Sequence, residues 1–228
     1  MTEMEDFVVW NEAMARKYNP DAFITRSGAI VRWIEARRLG ATAAVLDCRP
    51  GDKILDAGCG AGNLLEKLKG FDVTGVDISE TLLAQARARI SGQAGACVMF
   101  GNAEALPFPD ATFDRAVCSE ILEHVLNPET VLAELRRVVK PGGRIVLTVP
   151  NEGLISLTKK LVLLTGLKKA VSGDYEMSDD MLSEWHRHEI TLSWAREKCR
   201  GSVLLRSVLR IPFFFLPFHY VLVLEVKK

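Results

Sequence analysis

The chain has 228 residues, 48% of them apolar, which is enough for one domain with a sizeable core and argues against disorder. Its 29 basic and 29 acidic residues cancel, so the overall basic charge expected of a nucleic-acid binder is missing, and nucleic acid is not expected as a partner. Five cysteines, odd in number and never in a C-x-x-C pair, make a disulfide framework or a zinc knuckle improbable and suit a reducing cytoplasm.

Residues 1–49 read as helices, with Trp10, Met14 and Tyr18 spaced by four and Ile30 and Ile34 similarly placed. The acidic start "MTEMED" does not resemble a signal peptide. From residue 53 to 149 strand-like and helical runs alternate. "KILDAG" is followed by a helix expected to end near Gly70, then come the strand in "KLKGFDVTGVDIS" and the helix "SETLLAQARARI", which Ser79 can cap. "ACVMFG" and "FDRAVCS" follow as strands, then the helix "PETVLAELRRVVK" and the strand "GRIVLTVP", with "KPGG" expected as the turn between the last two. Such alternation specifies a parallel sheet with right-handed crossovers.

The flanks differ in kind. Residues 151–200 read as an insertion at the carboxyl end of the sheet, containing the basic, apolar "KKLVLLTGLKK" (159–169) and the acidic "GDYEMSDDMLSE". "VLLRSVLRI" and "YVLVLEVK", within 201–228, supply closing strands. The longest apolar run, "IPFFFLPFHYVLVL", is shorter than the ~20 residues a spanning helix needs and holds two prolines, so no transmembrane segment is expected.

Ligands of open parallel sheets lie beyond the carboxyl ends of the strands, and three stretches converge there. In "ILDAGCGAGN", Gly58, Gly60 and Gly62 follow a buried strand and allow a ligand close to the backbone. Asn63 stands where the dinucleotide pattern G-x-G-x-x-G wants glycine, so a pyrophosphate is not specified. Asp77, closing "FDVTGVD", can accept from both hydroxyls of an unphosphorylated ribose. Asn102, after the third strand, can either read an adenine edge or cap its own loop.

These stretches, with "GNAEALPFPDATFDRAVCSEILEHV" and "LRRVVKPGGRIVLTVPN", resemble in order and spacing the motifs of class I S-adenosylmethionine-dependent methyltransferases, including small-molecule and quinone methyltransferases. The resemblance covers roughly residues 45–151. It implies a Rossmann-like, doubly wound α/β fold with a seven-stranded sheet, mostly parallel with an antiparallel last strand. One domain would comprise a helical lid (1–49), a cofactor-binding core (50–150), a substrate-side insertion (151–200) and closing strands (201–228).

The resemblance also assigns residues. Asp56, Gly58, Cys59, Gly60 and Asn63 would surround the methionine end of S-adenosylmethionine, Cys59 through its backbone. Asp77 would take the ribose, Ile78 would pack on adenine, Asn102 and Ala103 would read it, and Ser119 would line the floor under the sulfonium. Relatives usually carry aspartate in place of Asn102. The implied acceptor is small or lipid-like, methylated on O, N or C.

Four histidines offer further chemistry. His124, in "SEILEHV", can take a proton from an acceptor hydroxyl or merely order the local backbone. In "WHRHEIT", His186 matches a family histidine on the substrate side and Thr191 caps "LSWAREKCRG", while a metal held by His186, His188 and Glu189 is the lesser reading. His219 is expected to pack or lie exposed in the closing strands, and Glu120 and Glu123 can be solvated helix charges. Tyr18, with Trp10 and Phe23, can close over the cofactor or equally pack in the core. The stretch 159–169 can form a lid helix, admit a lipid-like substrate or touch a membrane surface. A nicotinamide-dependent oxidoreductase and a non-catalytic module of the same fold are the competing readings.

Overall fold

The structure, a computed structural model, describes residues 2–165, 168–175, 184–201 and 203–227. Three helices come first: α1 (Glu3–Lys17), α2 (Pro20–Arg26) and α3 (Ala29–Leu46). The alternating core follows with β1 (Lys53–Ala57), β2 (Asp72–Asp77), α4 (Glu80–Arg89), β3 (Ala96–Phe100), β4 (Phe113–Ser119), α5 (Pro128–Val138) and β5 (Val139–Pro150). Then come α6 (Glu152–Leu164), α7 (Lys168–Ser172), a short helix Leu192–Lys198, β6 (Val203–Phe213) and β7 (Leu216–Val226).

The seven strands form one sheet in the order β3-β2-β1-β4-β5-β7-β6. Every pair from β3 to β5 is parallel, and β7 runs antiparallel to both β5 and β6. The expected architecture is therefore present. The central strands read as apolar runs because both faces are covered: Leu55, Ala57, Ala116, Cys118, Ile145 and Leu147 pack on one side, Ile54, Val73, Val117 and Val146 on the other. Burying such a side chain contributes about 1.5–3 kcal/mol, so the sheet's centre dominates the stability.

Local chemistry sets the boundaries. Ser79 caps α4 by accepting from Leu82 N, 3.2 Å, and Thr191 caps the helix after it by accepting from Trp194 N, 3.1 Å. Two expectations fail locally. The segment after the glycine turn ends near Gly70 as expected but makes only one turn of 3-10 helix, Leu65–Leu68, because residues 60–64 are taken up by the turn itself. The "KPGG" stretch is no separate turn: it lies within β5 as an irregularity opposite β4, between the Phe113–Val139 and Arg115–Arg144 pairs. Of the acidic stretch 173–184, residues 176–183 lie outside the described residues, as do 166–167 of the basic one.

Candidate active site

At the carboxyl ends of β1, β2 and β4 opens a cavity of about 630 Å³. The glycine turn forms its floor. Gly58 and Cys59 both donate their N–H to Val76 O, at 2.7 and 3.0 Å, tying the turn to β2. Gly58 has φ +78°, and a Cβ there would lie 2.3 Å from the Ile121 side chain, so only glycine fits. Gly60 (φ +51°) has nothing within 4 Å of where its Cβ would be, and its side faces the cavity.

Two carboxylates border this turn, Asp56 buried and Asp77 half-buried. Asp77 Oδ2 accepts from Gly60 N at 2.8 Å and Oδ1 from Ser79 N at 2.9 Å, so one side chain joins the turn to the start of α4. Burial raises its pKa against those hydrogen bonds. Asp56 is 1% exposed, and its Oδ2 has no partner among the described residues. Burial, and then the charge of Asp77, push its pKa to about 7, with Arg38 pulling the other way.

Behind the turn lies a network that sequence reasoning missed. Arg38 donates through Nε and Nη2 to Glu35 Oε2 at 3.0 and 2.7 Å, and through Nη1 to Ser119 Oγ at 2.7 Å. Thr148 Oγ1 donates to Glu120 Oε1 at 2.7 Å, so Ser119 Oγ, 3.0 Å away, donates to Thr148. His219 bridges the carboxylates, with Nδ1 3.1 Å from Glu120 Oε2 and Nε2 3.3 Å from Glu35 Oε1. Burial opposes its charge, yet Glu120 and Glu35 hold its pKa up at about 9. Burial likewise opposes ionisation of Glu120, and His219 and Arg38 bring it down to about 2. Two cations thus alternate with two anions. His219 therefore does more than pack, and Glu120 is not a solvated charge. One signal was available: Glu35 and Arg38 share the α3 face that buries Leu39, Thr42 and Leu46, where a charge calls for a buried partner.

A second cluster lines the cavity wall. The Glu123, His124 and His186 ligand atoms all lie within 4.8 Å of one another. His124 Nδ1 is 3.2 Å from the Trp185 carbonyl, which accepts, so this nitrogen carries the proton and Nε2 keeps its lone pair. Burial and then His186 push the His124 pKa down to about 3. His186 Nδ1 lies 2.7 Å from Glu152 Oε1 at the start of α6. Burial and the neighbouring Glu120 raise the Glu123 carboxyl well above its usual range, and its Oε2 has no partner among the described residues. Glu123 also is no solvated charge. His188 turns away, its Nε2 3.0 Å from Val125 O, and therefore does not join His186.

All the sequence-assigned residues meet here: Tyr18, Asp56, Gly58, Cys59, Gly60, Asn63, Asp77, Ile78, Asn102, Ala103, Ser119, His124 and His186 line this cavity. Asn102 Oδ1 accepts from Glu104 N at 2.9 Å, closing its own loop, while its residue still borders the cavity. Burial raises the Cys59 thiol well above its usual value, so it stays protonated beside Gly75. Tyr18 Oη donates to Glu184 Oε2 at 2.6 Å, and its ring stacks on Trp185.

Comparison with known proteins agrees with this arrangement. Residues 55–147 match the methyltransferase domain family. The chain is 35% identical over 152 residues to a malonyl-[acyl-carrier protein] O-methyltransferase of Erwinia pyrifoliae, covering 63% of this chain and 57% of that one. It is 32% identical over 182 residues to a demethylmenaquinone methyltransferase of Clavibacter sepedonicus, covering 75% of this chain and 74% of the relative. The chain belongs to the class I S-adenosylmethionine-dependent methyltransferases. The fold is also that of the PH0226 protein of Pyrococcus horikoshii, with a TM-score of 0.64 at 23% identity over 93% of this chain and 99% of that one.

The methyltransferase site fits the family's cofactor on its own evidence. The unpartnered Asp56 oxygen, buried with a raised pKa, is complementary to a ligand ammonium group. Each Asp77 oxygen has one hydrogen bond and can accept another, and Gly60 leaves open space beside them.

Proposed function

We propose that this methyltransferase transfers the methyl group of S-adenosylmethionine to an oxygen, nitrogen or carbon nucleophile of a small or lipid-like acceptor. The observation that carries the reading is one continuous cavity, polar at the glycine turn and apolar beyond it. It passes from Asp56, Asp77 and Asn102 through Ser119 and His124 to Ile155, Val162 and Leu216. When bound, S-adenosylmethionine supplies an electrophilic sulfonium methyl. The chain's own part is chiefly positioning, the effect that converts two reactants into an aligned pair.

In this reading Asp56 takes the ammonium group and the Gly58–Asn63 turn the rest of the methionine end. Asp77 accepts from the ribose hydroxyls. Ile78, Asn102 and Ala103 surround the adenine, Ser119 lies beneath the reacting centre, and Tyr18, at the end of α1, closes the site. The neutral His124, with Nε2 free, accepts the proton of a hydroxyl acceptor, and His186 with Glu152 lines the acceptor side. Stretch 159–169, through the outer face of α6, meets a membrane surface. Its apolar cavity and balanced charge favour a greasy acceptor over nucleic acid. The five cysteines, all free, suit the cytoplasm. No helix among the described residues is long and apolar enough to cross a membrane.

Calorimetry with S-adenosylhomocysteine and NAD tests the cofactor assignment, and release of S-adenosylhomocysteine over a panel of phenols and prenylated hydroxyquinones tests turnover. Tight NAD binding without a response to S-adenosylhomocysteine overturns the reading. Cofactor binding without turnover across the panel points to a non-catalytic module.

A further inference from the structure

The far rim of the cavity carries an apolar surface that the cofactor site does not use. At the β6–β7 hairpin, Phe214 and Phe215 are 76% and 68% exposed. Phe213 stacks on Phe215 with centroids 5.3 Å apart, Phe214 meets Phe215 edge-on at 5.3 Å, and Trp33 of α3 lies 5.6 Å from Phe213. Across the opening, α6 has two apolar faces and buries none of its residues. Ile155 and Val162 point into the cavity, whereas Leu157, Leu161 and Leu164, spaced i, i+4, i+7, lie exposed. Ile30, Leu163 and Leu216 are both exposed and cavity-lining, so the outer patch and the cavity wall are one surface.

Among the described residues, the exposed charges of α3 and α6 have one sign. The exposed charged residues of α3 are Arg32 and Arg37, and α6 presents Lys160 beside Leu157, Leu161 and Leu164. Residues 211–218 contain no charge: none of the eight is Asp, Glu, Lys or Arg. Arg37 sits over the Trp33 ring at 5.9 Å and donates to Pro212 O at 3.2 Å, which joins a cation to the aromatic cluster. The chain as a whole has zero formal charge, so these cations beside exposed aromatics give this face a local positive character.

We propose that Trp33, the Phe213–Leu216 tip and the outer face of α6 dock on an anionic lipid bilayer, so that the cavity opens directly into the lipid. A second copy of the chain is the poorer occupant, because a two-fold contact would bring the same cations face to face. Lipid headgroups offer the opposite sign, and the acyl region takes up the phenylalanines and leucines. The inference rests on the proposed lipid-like acceptor, which would enter from the bilayer without crossing water.

Co-sedimentation with phosphatidylcholine vesicles, with and without phosphatidylglycerol, tests it. The wild-type chain should sediment with the anionic vesicles and be released by high salt. Phe214→Ser with Phe215→Ser should lower the partition coefficient at least about tenfold, with melting temperature and S-adenosylhomocysteine affinity kept. Should that variant fail to fold, Leu164→Ser, at a side chain 82% exposed on α6, gives the same test. Docking is overturned if the wild-type chain stays in the supernatant, if folded variants partition as it does, or if it is a dimer that the variants dissolve. A chain that binds vesicles but not S-adenosylhomocysteine would keep the docking and overturn the cofactor assignment.

Discussion

Asp56 and Asp77, on the paired strands β1 and β2, set two carboxylates beside one glycine turn, and only Asp77 has a protein donor on each oxygen. With its folded pKa near 7 against an ordinary 3.8, Asp56 is largely protonated below neutrality in the free protein. A ligand ammonium beside it favours the ionised form. S-adenosylhomocysteine should therefore bind more tightly as pH rises from 5 to about 7.5, releasing a proton below pH 7. Calorimetry in buffers of different ionisation enthalpy reads that proton, and Asp56→Asn should abolish it. The sign for stability is opposite: the folded state holds this proton more tightly, so the group's contribution falls from about pH 4 to about 7 and then levels.

Asp77→Ala should weaken S-adenosylhomocysteine binding by about 1.5–3 kcal/mol for each charge-assisted hydrogen bond lost. A small drop in melting temperature should accompany it, because Gly60 N and Ser79 N lose their acceptor. Unchanged affinity in titration calorimetry removes Asp77 from the ribose position.

For His124→Ala, turnover of a hydroxyl acceptor should fall ~10²–10⁴-fold with cofactor affinity nearly intact. Because its pKa is pushed down to about 3, the imidazole is already neutral at pH 5, and its own titration should not limit the rate between pH 5 and 8. A variant that keeps full turnover at neutral pH ends the catalytic assignment.

His219→Gln tests the buried charge network. The wild-type pKa of about 9 exceeds the ordinary 6.5, so the stabilisation is complete below pH 6.5 and lost as pH rises through 9. Breaking one partner of a buried charge set costs about 3–5 kcal/mol. Urea unfolding should show the wild-type advantage at pH 6 and its shrinkage at pH 10; an equal gap at both pH values contradicts a charged His219.

Chelation should leave cofactor binding unchanged, since Asp56 and Asp77 need no metal. Loss of S-adenosylhomocysteine affinity in EDTA, restored by a divalent ion, would assign the Glu123, His124 and His186 cluster a metal role.

The fold was legible because its signals are local and repeated: apolar strand runs, Ser79 and Thr191 as caps, and glycines at the turn. The convergence of the candidate cofactor residues was legible because "ILDAGCGAGN" and "FDVTGVD" end strands that a parallel sheet must bring together. The network of Glu35, Arg38, Glu120 and His219 was not, because beyond the i, i+3 pair Glu35–Arg38 on α3 its members come from the loop after β4 and from β7, and no short-range pattern relates those to α3. Likewise the Glu152–His186 pair joins residues 34 apart in sequence. Isolated charges on half-apolar elements look like solvated ones until the fold supplies their partners.

The place of β7 between β5 and β6 imposes an order on biosynthesis. Until residues 216–226 have left the ribosome, β5 keeps an open edge, β6 has no neighbour to pair with, and Glu35 and Glu120 lack the imidazolium between them. The nascent chain can assemble β1 to β5 early, yet its closing step waits for contacts of long sequence separation. A ribosome stalled before this strand would present an unpaired sheet edge with two acids sharing the single charge of Arg38 behind it, a form suited to chaperone capture rather than to cofactor binding.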